Sequence, residues 1–126
     1  MKTAADRKKQ TYDKGRWAEW LAMAWLTLKG YRIVAQRYRS PQGEVDLIIS
    51  RGRVLAAVEV KARATREGAL EAISPRQQQR IIRAAQDYMA ARSVMTTADA
   101  GWVLRFDVVL ISPRTLPRHI ENAWQA

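Results

Sequence analysis

The chain has 126 residues, of which 48% are hydrophobic, and this size suits one domain with a modest core. It contains no cysteine, so disulfides, thiolate metal sites and cysteine nucleophiles are excluded. Its net charge of +10 favours a polyanionic partner, nucleic acid before an acidic membrane surface, although a basic protein without such a partner is the plainer alternative. We find no signal-like region, and the longest apolar stretch is too short to span a bilayer, so we expect a cytoplasmic protein without membrane association.

Residues 1–14 are polar and basic, and we expect them to form a partly flexible segment before a single domain over residues 15–126. This segment is either a nucleic-acid-binding arm or a solubilising tail. The next stretch, Trp17–Leu28, consists of good helix formers and ends before Gly30. We predict a helix buried around much of its circumference. Its main apolar stripe contains Trp17, Leu21, Ala24, Trp25 and Leu28.

Glu19 is the only charged residue of this predicted helix, and it does not lie on a polar stripe. The plain interpretation is an exposed glutamate paired with Arg16. The alternative is a carboxylate that points toward an acidic end of the sheet. A lone acid on an apolar helix needs one of these two explanations, because burial of an unpaired charge is costly.

Two runs of alternating apolar residues flank a turn that we place at Arg51-Gly52, which predicts a β-hairpin. In that register Asp46 lies opposite Ala57 and diagonal to Glu59, at about 7–8 Å. Asp46, Glu59 and Lys61 are then gathered at one end of a face that is otherwise apolar. Two acids and a lysine at such a place are costly unless they are paired or hold a metal ion.

The other elements follow from the same kinds of pattern. We predict a strand over Tyr31–Arg39, a loop over Ala62–Ala72, a helix over Ser74–Arg92, a linker over Ala91–Gly101, a strand over Trp102–Ser112 and a short edge strand near His119 and Ile120. A three-strand meander followed by a helical crossover to a fourth strand gives an α/β fold. In this fold a mixed sheet is flanked by helices.

Several polar residues outside the hairpin receive structural interpretations. Ser74 and Gln77 form a capping box at the start of the second helix. Asp107 is predicted to be structural, or a salt-bridge partner of Arg105 or of a neighbouring strand. His119 is the only histidine of the chain, and without a second histidine we assign it to the surface.

Four motifs in fixed order resemble a known family. They are GRWAE at 15–19, GEVDLI at 43–48, VEVKAR at 58–63 and RFDVV at 105–109. The pattern Asp46…Glu59-x-Lys61 after a helix acid resembles the PD-(D/E)XK nuclease superfamily and is similar to archaeal-type Holliday-junction resolvases. The likeness is closest to the YraN family of uncharacterised, endonuclease-like bacterial proteins. Val45 departs from the superfamily pattern, which has proline at this place.

This resemblance implies a restriction-endonuclease-like fold and a metal-dependent endonuclease that acts on DNA, including branched or structured DNA. Asp46, Glu59 and the carbonyl of Val60 are the expected ligands of Mg²⁺ or Mn²⁺. Lys61 is expected to orient or help deprotonate the attacking water, or to stabilise developing charge. Glu19 is expected to complete the acid cluster directly or through water.

The partners follow from the charge and the resemblance together. Arg37, Arg39, Arg63 and Arg66 are weaker candidates for phosphate contacts, which position a nucleic acid without reading its sequence. The resemblance also admits a homodimer. One alternative is a non-catalytic nucleic-acid-binding module that keeps the nuclease fold. Another is an interaction protein in which the acids and lysine form a structural salt bridge.

Overall fold

A computed structural model describes residues 3–92 and 101–126. Its elements are α1 (Ala4–Leu28), β1 (Arg32–Ser40), β2 (Gly43–Arg51), β3 (Val54–Ala62), α2 (Arg66–Glu71), α3 (Pro75–Ala90), β4 (Val103–Ile111) and β5 (Arg118–Trp124). The strands form one sheet in the order β1-β2-β3-β4-β5. Strands β3 and β4 are parallel, and the other neighbours are antiparallel. The predicted meander, helical crossover and mixed α/β sheet are therefore confirmed.

Two predicted boundaries differ from the structure, and a third prediction lies mainly outside the described residues. Helix α1 begins at Ala4 and not at Trp17. The predicted loop contains the short helix α2, which Thr65 caps by accepting a hydrogen bond from the backbone N–H of Gly68. The predicted linker lies mainly in residues 93–100, outside the described residues. Within the described part of the chain, no helix is long and apolar enough to cross a membrane.

Helices cover both faces of the sheet, and this explains why Leu55–Glu59 of β3 are buried without interruption. One core cluster lies under α1 and includes Ala22, Leu26, Leu47, Ile49, Ala56 and Val58. The other lies under α2 and α3 and includes Ile48, Leu55, Ala57, Ala69, Ile81, Ala85, Tyr88 and Val108. Alternate residues of β3 thus serve opposite clusters, as the alternation in the sequence predicts.

The predicted buried stripe of α1 is wrong. Trp17 is 65% exposed and Leu28 is 81% exposed, whereas Ala18, Ala22 and Leu26 face the sheet. Small side chains at this face let the helix approach the strands closely. Because the helix is apolar nearly all round, its sequence period cannot identify the buried face.

The register of the central hairpin differs from the prediction by two residues. Arg51 pairs with Val54, so the turn falls at Gly52-Arg53, where Gly52 adopts a left-handed φ of 60°. Ala57 pairs with Ile48 and not with Asp46. The shift of two residues leaves the side chains of β3 on their predicted faces and moves Asp46 from a diagonal position to one directly beside Glu59. In β2 the prediction is wrong for Val45, which packs with Ile48 in the cluster under α2 and α3 and not with Leu47 and Ile49.

Candidate active site

Two carboxylates lie where strands β2 and β3 separate. The paired residues run from Arg51 and Val54 to Leu47 and Val58, just before Asp46 and Glu59. There the backbone N–H of Asp46 donates to Glu59 Oε1 at 3.2 Å, and the N–H of Val60 donates to Asp46 Oδ2 at 2.9 Å. The two side chains thus accept hydrogen bonds from each other's strand, which holds the carboxylates side by side.

Lys61 and Gln77 complete the contacts of Glu59. The ammonium of Lys61 lies 3.8 Å from Glu59 Oε2, and both side chains are largely buried. Gln77 Nε2 donates to the same oxygen at 3.4 Å. The backbone N–H of Gln77 donates to Ser74 Oγ, which confirms the helix cap. The side chain of Gln77, however, donates to Glu59 in the site, whereas the sequence predicted that it would contact the helix cap.

The electrostatics of the pair are unfavourable without a cation. Burial and then the charge of Asp46 raise the pKa of Glu59 to about 8, although Lys61 opposes the shift. Burial also raises the pKa of Asp46; the N–H of Val60 opposes this, and the charge of Glu19 adds to it. One lysine does not compensate these acids, so near neutral pH the pair retains a proton or favours binding of a cation.

The carboxylates open into a cavity of about 490 Å³ between α1, the sheet and α3. Of the predicted site residues, the cavity wall includes Glu19, Asp46, Glu59, Val60, Lys61 and Arg63. The wall residues that were not predicted include Gln77 and Arg80 of α3. Gln77 and Arg80 lie on the same face of α3 as Ile81, Ala84 and Tyr88, toward the start of the helix. The helical period of the sequence could therefore have identified them as site residues. A polar extension of a core-facing stripe is typical of a side chain that reaches a pocket.

Glu19 forms an ion pair with Arg37. Arg37 Nε and Nη2 both lie 3.1 Å from Glu19 Oε2. Glu19 also lines the large cavity, so it faces the acids, as one of the two predicted alternatives states. The sequence did not identify Arg37 as its partner, because the two residues meet only when β1 folds beside α1.

The remaining predicted arginines separate into two groups. Arg37 and Arg39 line a second cavity of about 190 Å³, which shares Glu19, Glu44 and Asp46 with the first. Arg39 pairs with Glu44 at 3.1 Å on the surface. Arg66 opens α2 and lines neither of these two cavities.

The donor set is compatible with a hard divalent cation. Among the described residues, no group of three His, Cys, Asp or Glu side chains is arranged to hold a metal ion. Asp46 and Glu59 are two adjacent carboxylates with raised pKa values, and Val60 lines the same wall. Mg²⁺ is commonly held by one or two carboxylates together with waters and substrate phosphates, so this pair fits.

A further buried acid, Asp107, lies outside this cavity. Arg105 Nη2 donates to Asp107 Oδ2 at 2.8 Å, which confirms the predicted ion pair. His119 Nε2 lies 2.7 Å from the same oxygen, and its Nδ1 lies 2.6 Å from the ammonium of Lys29. The assignment of His119 to the surface was wrong, because β5 turns its ring inward against Asp107 and the ring is almost fully buried.

Comparison with known sequences fits this arrangement. A family described as "Uncharacterised protein family UPF0102" matches residues 18–111. The chain belongs to the UPF0102 family. This is the YraN family that the motifs resemble. The UPF0102 match contains all four predicted catalytic residues, Glu19, Asp46, Glu59 and Lys61, whereas β5 lies beyond it.

Relatives from UPF0102 cover nearly the whole chain. The UPF0102 protein of Maricaulis maris is 50% identical over 117 residues, which are 93% of this chain and 89% of the relative. That of Bradyrhizobium diazoefficiens is 48% identical over 125 residues, 99% of this chain and 91% of the relative. That of Rhodopseudomonas palustris is 50% identical over 123 residues, 98% and 88% of the two chains. Their names state no activity.

Proposed function

We propose that this UPF0102 protein is a metal-dependent nuclease with a restriction-endonuclease-like fold that acts on DNA, including branched or structured DNA. The observation that carries the proposal is the pair Asp46 and Glu59. Glu59 is buried and Asp46 is partly buried, each carboxylate accepts a backbone hydrogen bond from the other's strand, and both open into a cavity with cationic residues in its wall. A fold that only needed a salt bridge would gain nothing from a second acid beside the first.

The acids have a defined part in such a reaction. Asp46, Glu59 and the carbonyl of Val60 would hold Mg²⁺ or Mn²⁺. The bound ion would act as a Lewis acid on the phosphate and lower the pKa of a water. Without the ion, burial and then the charge of Asp46 raise the pKa of Glu59. The site therefore has a strong electrostatic preference for a cation at this place.

Lys61 is suited to the charge that develops during hydrolysis. When a water oxygen attacks phosphorus, negative charge grows on the phosphate oxygens, and the bond to the leaving oxygen breaks. Lys61 lies in the same wall, 3.8 Å from Glu59 Oε2, and its ammonium can donate to a phosphate oxygen or orient the water. Its ion pair with Glu59 keeps it at the cavity in the absence of substrate.

The surroundings of the acids favour an anionic polymer as substrate. Arg63 and Arg80 line the cavity on the side of β3 and α3, and Arg37 and Arg39 line the adjoining one. Together with the net charge of +10, these residues place phosphate-binding groups around the carboxylates. A smaller anionic substrate would not use cations on several sides of the site.

A non-catalytic nucleic-acid-binding module is the second candidate, and one observation favours it. The carboxylate of Glu19 is engaged with Arg37, which leaves two acids rather than three facing a metal ion. A module of this kind binds nucleic acid with a strong dependence on salt, requires no divalent metal and does not cleave.

The deciding experiment is a cleavage screen over duplex, single-stranded, flap and four-way DNA, with RNA alongside, in Mg²⁺, Mn²⁺ or EDTA. We expect cleavage of at least one DNA substrate with either metal and none in EDTA. Glu59→Gln should abolish cleavage without loss of fold, whereas Glu71→Gln, an exposed acid on α2, should retain it. Binding without cleavage under every metal condition would support the non-catalytic module, and neither binding nor cleavage would contradict both.

A further inference from the structure

The ion pair of Glu19 and Arg37 lies between the two cavities. Glu19 lines both cavities, and Arg37 lines the smaller one. The guanidinium places Nε and Nη2 at 3.1 Å from the same carboxylate oxygen. The Arg37 side chain remains 42% exposed and that of Glu19 20% exposed, so an incoming anion can reach this pair from solvent.

The backbone holds Arg37 in an unusual conformation. Its φ of 49° lies in the left-handed region, which costs a residue other than glycine roughly 1–2 kcal/mol. The neighbouring residue pairs of β1 and β2 are Gln36 with Leu47 and Tyr38 with Val45. Arg37 therefore occupies the position of β1 opposite Asp46. A strained arginine next to the acidic end of β2 is more consistent with a role in the site than with stabilisation of the strand.

We propose that Arg37 couples the binding of a substrate phosphate to the binding of the metal ion. The phosphate takes the guanidinium from Glu19, and the released carboxylate joins Asp46 and Glu59 as the third acid of the metal site. The inference rests on the proposed nuclease function and assigns Arg37 as a positioning residue for it. It also explains why Glu19, one of the four acids that line this cavity, is held in an ion pair.

The exchange is energetically accessible. An ion pair with this degree of exposure contributes only about 0–1 kcal/mol, so its loss is a small cost. A phosphate oxygen pair matches the planar guanidinium better than a single carboxylate oxygen does, and such contacts are among the stronger charge-assisted hydrogen bonds. Glu19 and Asp46 line both cavities, so the Glu19 carboxylate already lies at the space that the other acids face.

Calorimetric titration of the full-length protein with Mn²⁺, with and without a short DNA duplex, tests the coupling, after subtraction of Mn²⁺ binding to the duplex alone. In the wild type we expect the duplex to increase Mn²⁺ affinity about tenfold. Glu19→Gln should lower the affinity more in the presence of DNA than in its absence and so remove this increase. Arg37→Ala should raise the affinity without DNA severalfold and show little further change with DNA.

Two variants separate release of Glu19 from the simple removal of a positive charge. Arg39→Ala removes the same charge from the same small cavity but breaks a pair with Glu44, so it should retain the wild-type response to DNA. The double variant Arg37→Ala with Glu19→Gln should lose the affinity gain of Arg37→Ala alone.

The outcomes distinguish this inference from the nuclease proposal. If the double variant keeps the gain, Arg37 acts only through its charge and the coupling is wrong. If wild type binds Mn²⁺ through Glu59 while Glu19→Gln has equal effects with and without DNA, the coupling is again wrong, but the nuclease proposal stands. If wild type binds no Mn²⁺ under either condition, the nuclease proposal itself fails.

Discussion

Glu59 and Asp107 are buried acids on the neighbouring parallel strands β3 and β4. Asp107 pairs in register with Val58, one residue before Glu59, so the two acids point to opposite faces of the sheet. Burial by itself raises the pKa of both acids. For Glu59 it prevails and raises the pKa to about 8. For Asp107, hydrogen bonds from His119, Arg105 and the N–H of Asn122 outweigh it and lower the pKa.

The two acids differ in how completely their charges are paired. Asp107 is surrounded by donors on its own strand and on β5, including the backbone N–H of Asn122 at 3.0 Å. Glu59 has a second acid beside it, a single cation, Lys61, at 3.8 Å, and a cavity at its side. A buried charge with complete pairing stabilises a fold, whereas one with incomplete pairing is typical of a functional site.

The largest expected effect comes from removing the charge of Asp107. Asp107→Asn leaves the buried guanidinium of Arg105 without its main partner, and we expect a loss of about 3–5 kcal/mol in the free energy of unfolding. Chemical denaturation at neutral pH measures it. Glu121→Gln is the matched control, because Glu121 is exposed and only 3.8 Å from the same arginine, and it should change stability by less than about 1 kcal/mol. Equal stability of Asp107→Asn and wild type would remove the contrast between the two acids.

The next effect has the opposite sign. Glu59→Gln should stabilise the metal-free protein by about 2 kcal/mol at pH 8. The pKa of Glu59 is about 8 in the folded state and 4.5 in the unfolded state, so the stability associated with its neutral form is complete below pH 4.5 and is lost as the pH rises through 8. The advantage of the variant should therefore disappear as the pH falls to 4.5.

Denaturation in EDTA across this pH window checks the prediction, with the exposed Glu71→Gln as a control that should follow wild type. Mn²⁺ should stabilise wild type and leave Glu59→Gln unchanged. If Glu59→Gln is instead less stable than wild type at pH 8, the acid is a structural partner of Lys61 and the salt-bridge alternative is right.

The smallest expected effect sharpens the description of the Asp107 region. The hydroxyl of Tyr31 accepts a hydrogen bond from Arg105 Nη2 at 2.7 Å and donates to Glu121 at 3.4 Å. Tyr31→Phe should destabilise the protein by about 1 kcal/mol, since Arg105 keeps its stronger contacts with Asp107. A loss as large as that of Asp107→Asn, measured by the same denaturation, would mean that the tyrosine and not the acid organises this network.

Local patterns in the sequence were sufficient to predict much of the sheet. Alternation in β3 predicted which residues pack on each side of the sheet, because a strand's period of two assigns faces independently of its exact partner residues. In β2 the alternation fails at Val45, although Asp46, Glu59 and Lys61 do line one cavity. Ser74 and Pro75 predicted the start of α3 correctly, since capping depends on a few adjacent residues. The roles of the candidate site residues remain predictions.

Local sequence patterns could not predict contacts that form only when the chain folds. The turn shifted by one residue because Gly52 takes a left-handed conformation, and only the folded hairpin reveals the resulting register. His119 became buried because β5 turns its ring toward Asp107 and toward Lys29, which is far from it in sequence. Gln77 was read as part of a helix cap, although its side chain is directed by the packing of α3 against β2 and β3.

Gly43, at the start of β2, lets β2 and α3 approach each other beside the cavity because it has no Cβ. A Cβ at this position would lie 1.9 Å from the carbonyl oxygen of Arg80, so the main chains of β2 and α3 are in direct contact. Gly43→Ala would have to push α3 outward, which would withdraw Gln77 from Glu59 and enlarge the opening. Gly43 of the GEVDLI motif therefore determines how closely β2 and α3 approach, and the positions of Gln77 and Arg80 in the cavity wall depend on this distance.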